Sequence, residues 1–114
     1  MMKILDKPAT VSELKTMAEG IFGDMVKAVV DIDRGLVAVD AQLHSDLEAL
    51  FLERGAQQKS LWGINLYPGL TGADFVEFDS MINLRPAQGN MSRGVDDEVI
   101  RQKIREVVKK WVKE

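Results

Sequence analysis

Met25-Val26-Lys27-Ala28-Val29-Val30-Asp31-Ile32 and Leu36-Val37-Ala38-Val39 are two β-rich runs, and Asp33-Arg34-Gly35 lies between them. A three-residue connection ending in glycine is the kind that closes a hairpin. The near-continuous apolar character of these runs predicts that at least one strand is central and covered on both faces. A sheet seeded by a hairpin is antiparallel, and the rest of the chain is read outward from that expectation.

Toward the N-terminus, Lys3–Leu5 fits a short edge strand before Pro8. Thr10 and Glu13 have capping-box spacing, with a hydroxyl at the N-cap and a carboxylate three residues on. Val11, Leu14, Met17, Ala18, Ile21 and Phe22 recur at helical spacing, and Gly23 is placed to end the helix in the left-handed C′ conformation. Toward the C-terminus, Ser45 and Glu48 repeat the capping spacing, which predicts a second helix from about Asp46 to Arg54. Trp62, Ile64 and Leu66 then alternate with Gly63, Asn65 and Tyr67, as a strand requires. Phe75 to Leu84 resumes strand character and is expected to pair with Trp62–Tyr67. A last helix starts near Asp96, with Val95 and Ile100 as a hydrophobic staple and Ile104, Val107, Val108 and Trp111 along its buried stripe.

The order is (β)αββαββα. It predicts an α+β fold, with about three helices packed on one face of an antiparallel sheet of four to five strands. At 114 residues one domain spanning 1–114 is expected. Hydrophobic residues at 46% and charged residues at 29% are ordinary for a globular protein. With no cysteine, disulfides, thiolate catalysis and Cys-based metal sites are excluded. The N-terminal residues lack the apolar run of a signal peptide, and no window reaches the roughly 20 apolar residues of a membrane span. A bacterial or archaeal cytosol is the simplest compartment. The net charge of −3 is unevenly spread: Glu98–Glu114 carries six basic and three acidic residues. That pattern fits a helix with a solvated face and argues against a dedicated nucleic-acid binder.

The segment Asn83-Leu84-Arg85-Pro86-Ala87-Gln88-Gly89-Asn90-Met91-Ser92-Arg93-Gly94 carries the chemistry. Between Ser80 and Val95 the charges are Arg85 and Arg93 alone, set among the donors Asn83, Gln88, Asn90 and Ser92. Two guanidinium forks, a glycine-containing backbone and a following helix N-terminus fit a small anion such as phosphate, a carboxylate or a nucleotide. The same residues also read as a strand-to-helix connection whose arginines pair with Asp79 or Asp96. No P-loop or dinucleotide fingerprint is present.

His44, the only histidine, has Asp46 and Glu48 two and four residues on. A base role, with His44 or a carboxylate such as Asp46 or Asp79, requires it to meet the glycine loop in space. One histidine is thin for a metal site, although His44, Asp46 and Glu48 together supply an oxygen-rich set. Asp31 and Asp33 read as turn residues. Asn65 and Tyr67 share one strand face, as do Asn83 and Arg85 on the next, so pairing would join them in one polar patch. Asparagine is disfavoured in strands, which makes two of them on neighbouring strands notable.

Three stretches resemble a known family: Asp24–Asp31, Leu61–Pro68, and Phe78–Pro86 running on to Gln88-Gly89-Asn90 and Ser92-Arg93-Gly94. The family comprises short bacterial and archaeal proteins catalogued only as a domain of unknown function. The resemblance implies a free-standing small protein and assigns no activity, cofactor or site residue. Three functions compete: a binding module for a small anion, a small hydrolase or phosphotransfer enzyme using the same loop, and a homo-oligomeric interaction protein without catalysis. The last would use the basic C-terminal helix or an exposed sheet edge.

Overall fold

The computed structural model describes residues 1–113. In chain order the elements are β1 (Lys3–Ile4), β2 (Ala9–Thr10), α1 (Val11–Ile21), β3 (Val26–Asp31), β4 (Leu36–Val39), α2 (His44–Glu53), β5 (Leu61–Leu66), β6 (Val76–Glu77), α3 (Glu98–Trp111) and β7 (Val112–Lys113). Five strands form one antiparallel sheet in the order β1-β4-β3-β5-β6, and β2 pairs in parallel with β7. The fold is α+β with three helices, as the patterning predicts.

The hairpin forms as read. Gly35 donates its N–H to Asp31 O at 2.8 Å with φ of 67°, and β3 and β4 pair from Asp31↔Leu36 onward. Asp31 is buried, and its carboxylate accepts from Asp33 N–H, Arg34 N–H and Arg34 Nε. The turn reading of this aspartate therefore has a geometric cause, since it satisfies the donors of its own loop. Six residues of β3 pair with β5, Val29 facing Gly63 and Val30 facing Trp62, so β3 is the central strand.

The expectation of helices on one face is corrected. Val26, Ala28, Val30, Val37, Val39, Trp62, Ile64 and Leu66 turn toward Leu14 and Ala18 of α1 and Ile104 and Val108 of α3. Val29, Ala38 and Leu61 turn the other way, onto Leu47 and Phe51 of α2. Both pleat faces of β3 and β4 are apolar, so each needs its own helical cover. That division leaves the first turn of α2 free to meet side chains of the second face.

The caps show which local signals hold. Thr10 and Glu13 form the reciprocal capping box of α1, and Gly23 follows the helix at φ of 93°. Helix α3 is capped by Asp97, which accepts from Val99 N–H, one residue later than the expected Asp96. Helix α2 starts earlier than expected, at His44, with Leu43 as an N-cap that supplies no side-chain bond. Ser45 and Glu48 thus form no capping box, and Glu48 instead reaches Arg85 at 3.5 Å.

Candidate functional site

The predicted strand over Phe75–Leu84 shrinks to Val76–Glu77, after which Ser80 caps a 3₁₀ turn over Met81–Asn83. Strand β5 therefore runs past the end of its partner, and Gly63 presents an N–H and a C=O to an edge without a strand. Asn83 fills it. Its Oδ1 accepts from Gly63 N–H at 2.8 Å, and its Nδ2 donates to Gly63 O at 2.9 Å and Arg93 O at 3.1 Å. One side-chain amide thus substitutes for one peptide unit of a neighbouring strand, which satisfies buried backbone groups that otherwise cost stability. The approach is close enough that a Cβ on Gly63 would lie 2.5 Å from Ser80 Cβ.

Asn90 organises the following loop in the same way. Its Nδ2 lies within bonding distance of Asn83 O, Ser92 O and Gly94 O, and its Oδ1 accepts from Asp96 N–H at 2.8 Å. Arg85 donates through Nε to Ile82 O at 2.9 Å and through Nη2 to Leu61 O at 2.6 Å, with its guanidinium over the Trp62 ring. Burial holds the Arg85 pKa below its ordinary value, and Glu48 opposes that shift. Ser92 and the Met91 N–H donate to Asp96, which lowers that carboxyl's pKa, the Ser92 hydroxyl being the first cause. Gln88 donates to Lys59 O. Arg93 donates to Asp79 Oδ1 at 2.9 Å but stays more than half exposed.

The structure separates the predicted loop residues. Asn83, Arg85, Asn90 and Ser92 are engaged in holding the loop. Gln88 and Asn90 border a cleft of about 280 Å³ with Trp62 and the aspartates Asp96 and Asp97. Arg93 borders another, of about 440 Å³, on the α2 side of the sheet. The expected patch of Asn65 and Tyr67 with Asn83 and Arg85 does not form, because the second pair is not on a strand. Asn65 and Tyr67 instead meet Glu77, through Asn65 Nδ2 at 2.8 Å and Tyr67 Oη at 3.0 Å.

The larger cleft brings together residues far apart in sequence. Lys27 comes from β3, His44 and Ser45 from the first turn of α2, Asn65 and Tyr67 from the β5 end, and Glu77, Asp79 and Arg93 from the segments beyond. Lys27 lies over the Phe22 ring at 5.3 Å. Asp46, exposed on the same helical turn, does not line the cleft.

His44 is buried, with Nε2 at 2.8 Å from Ile64 O. A carbonyl only accepts, so Nε2 carries the hydrogen. Burial lowers the His44 pKa, Lys27 adds to that, and the Ile64 bond, Asp79 and Asn65 pull the other way. The ring is neutral near pH 7, and the Asn65 side chain is a second hydrogen-bond neighbour of it. Burial and the bond to Glu77 raise the Tyr67 pKa, so its hydroxyl stays protonated. No group of three or more His, Asp or Glu able to hold a metal occurs among the described residues, so His44, Asp46 and Glu48 do not form the oxygen-rich set. None of the helices described is long and apolar enough to cross a membrane.

Fold and cleft together define a small α+β protein with helices on both faces of an antiparallel sheet and a polar, solvent-open cleft at one helix N-terminus. The chain belongs to the family of proteins of unknown function DUF5674, whose pattern matches residues 3–111. No curated protein and no solved structure matches the chain.

Proposed function

We propose that the protein binds a small anionic ligand, such as phosphate or a carboxylate, in the cleft where Arg93 and Lys27 meet the first turn of α2. One observation carries this reading: a helix N-terminus without a side-chain cap opens into a cleft that also holds two cations. Backbone N–H groups of a first helical turn carry about half a positive charge and favour an anion. The loop from Asn83 to Arg93 serves the site by placing Arg93, while Asn83, Arg85, Asn90 and Ser92 hold that loop in shape.

Thermal unfolding against phosphate, acetate, malonate and nucleotides tests the proposal. An anion at about 100 times its Kd adds roughly 2.7 kcal/mol, a shift of several degrees. The shift is expected to disappear in Arg93→Ala and Lys27→Ala. Persistence of the shift in both variants, or no shift with any anion, contradicts the reading.

A second reading is catalytic and follows from His44. Its Nε2 is fixed on Ile64 O, and the neutral ring shares its cleft with Asp79 and Arg93, where Nδ1 is the nitrogen able to act as a base. Hydrolysis of simple phosphate or carboxylate esters that is lost in His44→Gln, with anion binding intact, would support it. Equal turnover by that variant would remove it.

A further inference from the structure

His44 is 6% exposed, lines the cleft, and is the first residue of α2, where the helix dipole disfavours a cation. Two acceptors neighbour its ring. One is Ile64 O, at 2.8 Å from Nε2, and the other is the Asn65 side chain. The Asn65 amide turns its oxygen to the ring, because Nδ2 is taken by Glu77 Oε1 at 2.8 Å and Asp79 O at 3.3 Å, and both of those atoms only accept at neutral pH. A neutral imidazole has one N–H to offer these two acceptors, whereas an imidazolium has two. While the single N–H goes to Ile64 O, the buried Asn65 Oδ1 is left without a donor. One added proton completes the group.

Charges reach the ring from each element around it. Burial opposes its protonation first and Lys27 of β3 next, while the Ile64 bond, Asp79 and Asn65 favour it. Tyr67 of β5, Glu77 of β6 and Arg93 line the same cleft, with Glu77 held by Asn65 and Tyr67, and Arg93 by Asp79. On α2 itself, Asp46 is exposed outside the cleft and Glu48 turns to Arg85. An anion seated against the first turn of α2 counters two of the opposing effects at once, the Lys27 charge and the helix dipole.

We infer that anion binding in this cleft is coupled to the uptake of a proton by His44, so that the protein takes its ligand more tightly as pH falls. The inference rests on the anion-binding reading and adds its regulation. The cleft gains a third cation when the imidazolium forms, and both acceptors around the ring are then met. The coupling is reciprocal: the factor by which the proton strengthens anion binding is the factor by which the anion strengthens proton binding.

The test is calorimetric titration of the full chain with sulfate and methanesulfonate, whose charges stay fixed, from about pH 8 down to about pH 5. At least one of them is expected to bind about fivefold or more tightly at the acid end, the lower end of ordinary coupling between sites. His44→Gln is expected to give a flat profile. In the wild-type protein, the His44 ring signals in NMR read the same coupling without a substitution, since a saturating anion should move their titration to higher pH. Binding that does not change with pH, an equal pH dependence in His44→Gln, or an unmoved His44 titration overturns the coupling and leaves the anion reading standing. Binding of neither anion at any pH overturns both.

Discussion

Replacing Asn83 by alanine removes the side chain that completes the edge of β5. Three hydrogen bonds go with it, two of them to the peptide groups of Gly63 inside a fully buried strand. The third, to Arg93 O, lies nearer the surface, where water can replace it. A buried backbone group left unpaired costs about 1–3 kcal/mol, so the two Gly63 groups together give about 4 kcal/mol. Total stability for a domain is on the order of 5–15 kcal/mol, so a large share of it disappears. The melting temperature should fall by roughly 15 °C, taking about 4 °C per kcal/mol for a chain of this size. Urea unfolding measures the loss as a lower midpoint at unchanged slope. Native-state hydrogen exchange locates it, because the Gly63 amide should lose protection while amides of α1 keep theirs relative to global unfolding. A change below about 0.5 kcal/mol, the level of an ordinary surface substitution, would refute the claim that this amide stands in for a strand.

Gly63→Ala should unfold or strongly destabilise the protein, because its Cβ meets Ser80 Cβ at 2.5 Å and Ser80 Oγ at 2.6 Å. Adding Ser80→Gly should recover part of the loss in urea unfolding, and no recovery would mean the clash is not the cause. The His44 pKa is lower in the folded chain than its ordinary 6.5, so as pH falls below about 6.5 the unfolded chain takes up the proton first. Stability is then intact above that pH and declines below it by up to about 1.4 kcal/mol per pH unit. His44→Gln, which keeps a donor for Ile64 O, should flatten the profile between pH 7 and 5. Glu13 and Asp96, whose pKa values lie below their ordinary 4.5 and 3.8, act only in more acidic solution. Trp111→Phe should cost about 1 kcal/mol by chemical denaturation, since indole Nε1 donates to Gly35 O at 2.7 Å and fastens α3 to the hairpin. No change would assign that contact no weight.

The parts of this fold that were legible in sequence are those set by neighbours along the chain. The Thr10–Glu13 box, Gly23, the Asp31–Gly35 turn and the stripe of α3 each depend on residues within a turn or two. The parts that were not legible depend on partners far away. Ser45 and Glu48 have the spacing of a cap, but Glu48 turns to Arg85, 37 residues on. Phe75–Leu84 has the alternation of a strand, yet the Asn83 side chain takes over the pairing role of its backbone. Asp96 and Asp97 are chemically identical neighbours, so composition does not rank them as caps. The β2–β7 pair joins two residues at each end of the chain, too short to leave a periodic signal.

The candidate site divides in the same way. The polar face of Asn65 and Tyr67 follows from strand parity, and the unusual density of amides marks Asn83 and Asn90 as special residues. Their side-chain amides bond to backbone groups of their own loop and of β5. The meeting of Lys27, His44 and Arg93 needs the β3–β5 register and the placement of α2 on the second face of the sheet. A single sequence states neither, although Lys27 and Asn65 prove to be direct cross-strand partners.

The most direct test of the cleft is a titration of isotopically labelled protein with phosphate and with acetate, followed by amide and arginine Nε shifts in two-dimensional NMR. Binding at the α2 N-terminus predicts saturable shifts of the His44 and Ser45 amides together with Arg93 Nε. Shifts confined to Gln88, Gly89 and the Asp96–Asp97 side of the loop, or no saturable shift near α2, would contradict it.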